Sequence, residues 1–104
     1  MLINQHFPNK YTMKGVFIYM QTFEYTITDP LGMHARPAGL FVKEASSYES
    51  SITISKGGKT VDAKKIFGVM GLMIKNGDTV TIAVEGVDEA IVAGKMEAFM
   101  KETL

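Results

Sequence analysis

The sequence predicts an α+β fold in which helices cover one face of an antiparallel sheet. Three observations lead there. The elements run strand, helix, strand, strand, helix, strand, helix; the strand runs are short and alternate apolar with polar residues; and the pair Gly57-Gly58 puts a hairpin mid-chain. At 104 residues the chain can close one core and not two.

Residues 1–20 stand outside that pattern. Lys10 and Lys14 precede the apolar run Val16-Phe17-Ile18-Tyr19-Met20, which superficially resembles a targeting peptide. The run is too short for a signal core, no small-residue cleavage site follows it, and it falls far below the ~20 residues that span a bilayer. With Met13 and Met20 as alternative starts, the segment is expected to be a flexible tail or an incorrectly assigned start. His6 within it is given no role.

The folded domain is expected over residues 21–104. Phe23-Glu24-Tyr25-Thr26-Ile27-Thr28 alternates as a half-buried strand does, and Asp29-Pro30 ends it, because proline restricts its predecessor and cannot continue a ladder. A helix follows from about Ala35 to Tyr48, with Ala38, Phe41, Val42, Ala45 and Tyr48 on its core face. Leu40 falls off that stripe, close enough to His34 to touch a docking partner. Ile52-Thr53-Ile54-Ser55 and Thr60-Val61-Asp62 flank Gly57-Gly58. A glycine pair between lysines can bind phosphate, but a hairpin turn explains it more simply. Asn76-Gly77-Asp78 turns the chain into Thr79–Glu85, with Val80, Ile82 and Val84 inward. Asp88 and Glu89 open a last helix that buries Val92, Ala93, Met96, Phe99, Met100 and Thr103; acids at its start and Lys101 near its end suit the helix dipole.

The segment Lys64–Met73 is too apolar for one face of so short a helix. Ile66, Phe67, Val69, Met70, Leu72 and Met73 either tuck under a loop or leave an apolar docking patch, for which methionine's flexible thioether is suited.

Composition narrows the function. Eleven acidic and eleven basic residues cancel, which argues against a general nucleic-acid or membrane-surface binder. An RNA-binding α+β domain would need stacking aromatics on its central strands, and Ile52-Thr53-Ile54 offers none. The absence of cysteine excludes disulfides and thiolate metal sites and suits a reducing compartment. Two distant histidines make no metal motif, and no cofactor is expected.

Chemistry concentrates in Gly32-Met33-His34-Ala35-Arg36-Pro37-Ala38. Pro37 fits a first helical turn, where amides are unpaired anyway. Those amides, with the positive end of the dipole, favour an anion near Ala35 and Arg36. Arg36 adds a planar fork of donors, and His34 is a neutral nucleophile near pH 7. Each residue also has a plain structural reading, but together they describe a place where a phosphoryl group is received and passed on.

These residues resemble the signature G-[IL]-H-[AT]-R-P-A of the HPr family, the histidine-containing phosphocarriers of the bacterial phosphoenolpyruvate-dependent sugar phosphotransferase system. A second stretch, Ala63–Leu72, and the turn Lys75-Asn76-Gly77-Asp78 followed by Glu85-Gly86-Val87-Asp88-Glu89 also resemble the family, so that the resemblance covers about Met20 to Leu104. It implies an open-faced sandwich of four antiparallel strands with three helices on one side. It implies that His34 accepts the phosphoryl group on Nδ1 from enzyme I and gives it to IIA domains of sugar permeases. Arg36 and the amide of Ala35 would hold the phosphate. Leu40, Ile66, Phe67 and Met70 would dock partners, with Lys43 either assisting them or simply solvated. Such a carrier is no enzyme in its own right; it is expected to be a cytoplasmic monomer. The rival is a regulatory module of the same fold that acts by docking alone, against which the retention of His34 with Arg36 argues.

Three positions depart from the family pattern. Lys65 stands where many members from Gram-positive bacteria carry a serine phosphorylated by a dedicated kinase, so that switch is expected to be absent. Leu31 replaces a small polar residue before the glycine, and Met73 stands where glycine is common.

Overall fold

A computed structural model describes residues 20–104 in full and the backbone of residues 11–13 and 16–18. His6, Lys10 and Lys14 therefore lie outside the described residues, as does most of the expected tail. Within that segment Tyr11–Met13 (β1) and Val16–Ile18 (β2) pair as a separate antiparallel ribbon.

The remaining elements come in the expected order. They are β3 (Met20–Thr26), α1 (Ala35–Ser46), β4 (Ser51–Lys56), β5 (Lys59–Asp62), α2 (Ile66–Gly71), β6 (Thr79–Glu85) and α3 (Glu89–Thr103). The four strands form one antiparallel sheet in the order β3-β6-β4-β5, so the last strand in sequence lies second in space.

Several boundaries differ from the sequence reading, each for a physical reason. β3 starts at Met20 because β6 offers it a partner as far as Glu85. It ends at Thr26, two residues early, because the amides of Ile27 and Thr28 turn to the carbonyls of Asp78 and Leu104. α1 closes at Ser46, and Tyr48 lies beyond its end, with its hydroxyl bonded back to Glu44. Lys64 and Lys65 precede α2 without joining it, and Met73 lies past its end. At the mid-chain hairpin Gly57 and Gly58 both have positive φ, +58° and +84°, which a two-residue turn of matching twist requires.

The inward side chains of the sheet, Ile52, Ile54, Val80, Ile82 and Val84, are fully buried beneath the helices. α3 packs on β3 and β6, and α1 packs against α2 and α3. Phe41 of α1, fully buried, meets Phe99 of α3 with ring centroids 6.3 Å apart. The expected core stripes are buried or half-buried in both long helices. No helix among the described residues is long and apolar enough to cross a membrane.

Candidate functional site

The loop from β3 to α1 is wired residue by residue. Asp29 forms a tight turn in which its carboxylate Oδ1 accepts the Leu31 N–H at 2.9 Å and its carbonyl accepts the Gly32 N–H at 2.9 Å. Gly32 sits at φ +69°, and a Cβ there would lie 2.5 Å from the carbonyl oxygen of Ile74 and 2.7 Å from Cα of Lys75. Only glycine permits both the conformation and the approach. Met33 then drops into the core and donates its N–H to Ile74 O at 3.0 Å. The next residue, His34, comes back to the surface.

His34 is the residue immediately before the helix, in extended conformation (φ −80°, ψ −175°), and its carbonyl accepts the Ala38 N–H at 2.9 Å. Its side chain makes no capping bond and is 39% exposed. The imidazole is therefore accessible from solvent and not committed to the backbone. The amides of Ala35 and Arg36 belong to the first turn, whose N–H groups have no acceptor within the helix, and Pro37 has no N–H to leave unpaired. Both residues are exposed, whereas Pro37 and Ala38 are buried and hold the turn against the core.

A cleft of about 250 Å³ opens here, lined by Asp29, His34, Arg36, Pro37, Leu40, Glu102 and Thr103. The structure thus brings together His34, Arg36 and Leu40 as expected. It adds Asp29 and Glu102, which sequence reasoning missed. Asp29 was legible only as the end of a strand; Glu102 lies on the last turn of α3, and no local pattern links it to His34. Two carboxylates thus share the cleft with one guanidinium.

Lys43, Ile66, Phe67 and Met70 do not line the cleft. Lys43 is exposed in the last turn of α1. The apolar residues of α2 divide: Val69 and Leu72 are buried, Ile66 packs partly against the core, and Phe67 (87%), Met73 (66%) and Met70 (37%) are exposed. Lys65 is exposed at the start of α2, and Leu31 beside the cleft is 72% exposed. Met73 has φ +52°, the left-handed conformation that follows many helix ends, which explains why glycine suits that position. Lys56 steadies this exit by donating from Nζ to the carbonyl of Met73 at 2.8 Å and by pairing with Asp78 at 2.8 Å. That bond, with the Lys75 amide, holds the Asp78 carboxyl below its ordinary value.

The family model for the "PTS HPr component phosphorylation site" matches residues 21–102. The chain belongs to the HPr family. It is similar to the phosphocarrier protein HPr of Lysinibacillus sphaericus, with 46% identity over 67% of this chain and 80% of the relative. It is equally similar to the HPr-like protein Crh of Halalkalibacterium halodurans, with 46% identity over 68% of this chain and 84% of the relative. The crystal structure of the phosphocarrier protein HPr from Bacillus anthracis str. Ames superposes with a TM-score of 0.73 at 40% identity, covering 78% of this chain and 96% of that one. HPr architecture, four antiparallel strands with three helices on one side, is the architecture found here.

Proposed function

We propose that this chain carries a phosphoryl group on His34, received from enzyme I and delivered to IIA domains of sugar permeases. What supports the reading above all is a half-exposed imidazole at the mouth of α1, with Arg36 in the same cleft. In the transfer the Nδ1 lone pair forms a bond to phosphorus while the donor's bond to phosphorus breaks, its electron pair leaving with the donor. Arg36 and the first-turn amides of Ala35 and Arg36 stabilise the charge on the equatorial oxygens, so the protein contributes positioning and electrostatics. Leu40, Phe67 and Met70, which are exposed, and part-exposed Ile66 are the apolar residues offered to both partners, and exposed Lys43 meets acidic groups on them.

The relay works in the cytoplasm with a monomeric carrier. Incubation with phosphoenolpyruvate and enzyme I is expected to give one acid-labile phosphate per chain, read by intact-mass spectrometry, and none on His34→Ala. The similarity to a Crh protein supports a second reading, in which the fold regulates by docking alone. An unphosphorylated wild-type chain in the same assay would favour that reading.

Lys65, having no hydroxyl, closes the serine-kinase route at the start of α2. Incubation with such a kinase and ATP is expected to leave the chain unmodified, and a phosphoserine found by mass spectrometry would refute this.

A further inference from the structure

One carboxylate beside the imidazole has no part in the transfer described above. Asp29 is held on three sides: its N–H donates to Leu104 O at 2.8 Å, its carbonyl accepts the Gly32 N–H, and Oδ1 accepts the Leu31 N–H. The remaining oxygen, Oδ2, stands 3.7 Å from Nε2 of His34. That gap is slightly beyond a direct hydrogen bond, and bonds of this kind commonly tighten only when the reacting partner arrives. Nε2 is the nitrogen turned toward the carboxylate. Among the other groups around the ring, Glu102 and Arg36 line the same cleft without a hydrogen bond or ion pair to it, the Leu31 side chain has no polar atom to offer, and the helix amides do not engage it.

Resting on the phosphocarrier reading, we propose that Asp29 is a positioning residue for His34, acting through Nε2 so that Nδ1 is the nucleophile. A carboxylate accepts a hydrogen bond and cannot donate one, so it favours the tautomer with the proton on Nε2 and leaves the lone pair on Nδ1. When Nδ1 forms its bond to phosphorus, the Nε2 proton stays in place and the ring becomes cationic. Asp29 then balances that charge at 3.7 Å or closer. On delivery the N–P bond breaks, its electron pair returns to Nδ1, and the ring is neutral again with its proton still facing Asp29. No other co-reactant is needed. A histidine nucleophile is thus oriented by a local turn, and the residue that makes the turn also sets the reactive nitrogen.

Asp29→Asn is the informative variant. It keeps the Oδ1 acceptor for Leu31 N–H but turns an amide donor toward Nε2, which draws the lone pair to Nε2 and the proton to Nδ1. Imidazole ¹⁵N shifts of histidine-labelled protein read the tautomer directly, and quenched-flow phosphorylation by enzyme I reads the rate. The expected result is a shift from the Nε2–H toward the Nδ1–H tautomer, with phosphoryl acceptance slowed roughly ten-fold, the low end for losing an outer partner of a functional histidine because both groups are part-exposed. Asp29→Glu should recover part of both. If Asp29→Asn matches wild type in tautomer and rate while Asp29→Ala is slow, Asp29 serves only the turn and the proposal fails. If the wild-type chain accepts no phosphate at all, the phosphocarrier reading fails instead, and the ¹⁵N shifts alone decide the pairing.

Discussion

Ahead of α1 and ahead of α2 an aspartate makes the same pair of bonds. Asp29 and Asp62 each accept, on Oδ1, the N–H two residues on (Leu31 and Lys64, both at 2.9 Å). Their carbonyls accept the N–H three residues on, from Gly32 at 2.9 Å and Lys65 at 3.1 Å. After that the two helix starts part. At α2 the residue closing the turn, Lys65, is itself the one that precedes the helix, and the chain goes straight in. At α1 the residue closing the turn, Gly32, lies two positions before His34: Gly32 bends the backbone against Ile74, and Met33 plunges into the core before the helix begins. The detour pins the backbone on both sides of His34, by Met33 before it and by buried Pro37 and Ala38 after it, while keeping the ring at the surface. The same local device gives a plain helix entry in one place and a held nucleophile in the other: at α2 the core contact, buried Ala63 with its N–H on Ile52 O at 2.9 Å, lies inside the turn itself, whereas at α1 it lies between the turn and the helix.

The largest expected effect breaks the anchored start. Gly32→Ala would set a methyl group 2.5 Å from Ile74 O in a left-handed conformation, and should cost about 3 kcal/mol or more in denaturant unfolding. It should also lower phosphoryl acceptance, since the loop must move. The matching change at the other start, Lys65→Ala, should stay within about 0.5 kcal/mol, because the residue is exposed and its φ of −118° suits any side chain. Equal costs at the two positions would erase the contrast.

Asp62→Ala tests whether the turn matters where no extra residue separates it from its helix. Losing its bond to the Lys64 N–H should cost about 1 kcal/mol, with transfer by His34 unaffected. At the exit of α2, Met73→Gly should stabilise by about 0.5 kcal/mol, the relief at φ +52° being partly offset by the freer unfolded chain.

The smallest effect is in pH dependence. Because the Lys56 bond holds the Asp78 carboxyl low, the folded state binds that proton less readily than the unfolded chain. The resulting stability is present above the ordinary aspartate value of 3.8 and is lost as pH falls below it through the folded value. Thermal melts of Lys56→Met should show a shallower loss of stability in that acid range than wild type; an unchanged slope would mean that the pair contributes nothing there.

Much of this was legible beforehand. Alternation at Phe23–Ile27 and Val80–Val84, and helical spacing at Ala38–Phe41–Ala45, report which face of an element is apolar, and burial followed that record. The motif Gly32–Ala38 was legible because adjacent residues carry it, so chain connectivity alone places His34, Arg36 and Pro37 at one helix mouth. The division of α2's apolar residues was not legible, since six candidates exceed what a helix of this length can hide and only the neighbouring layer selects among them.

By itself, then, the sequence determined the elements from β3 onward, their apolar faces, the mid-chain hairpin and a histidine at a helix start, all of which depend on contacts between near neighbours. The tertiary structure alone decided that β6 lies between β3 and β4, that Ile74 presses on Gly32, and that Glu102 at the end of α3 shares a cleft with His34. Those pairings join residues far apart along the chain. They are chosen by how a sheet and three helices fill space together, which no local pattern of side chains records.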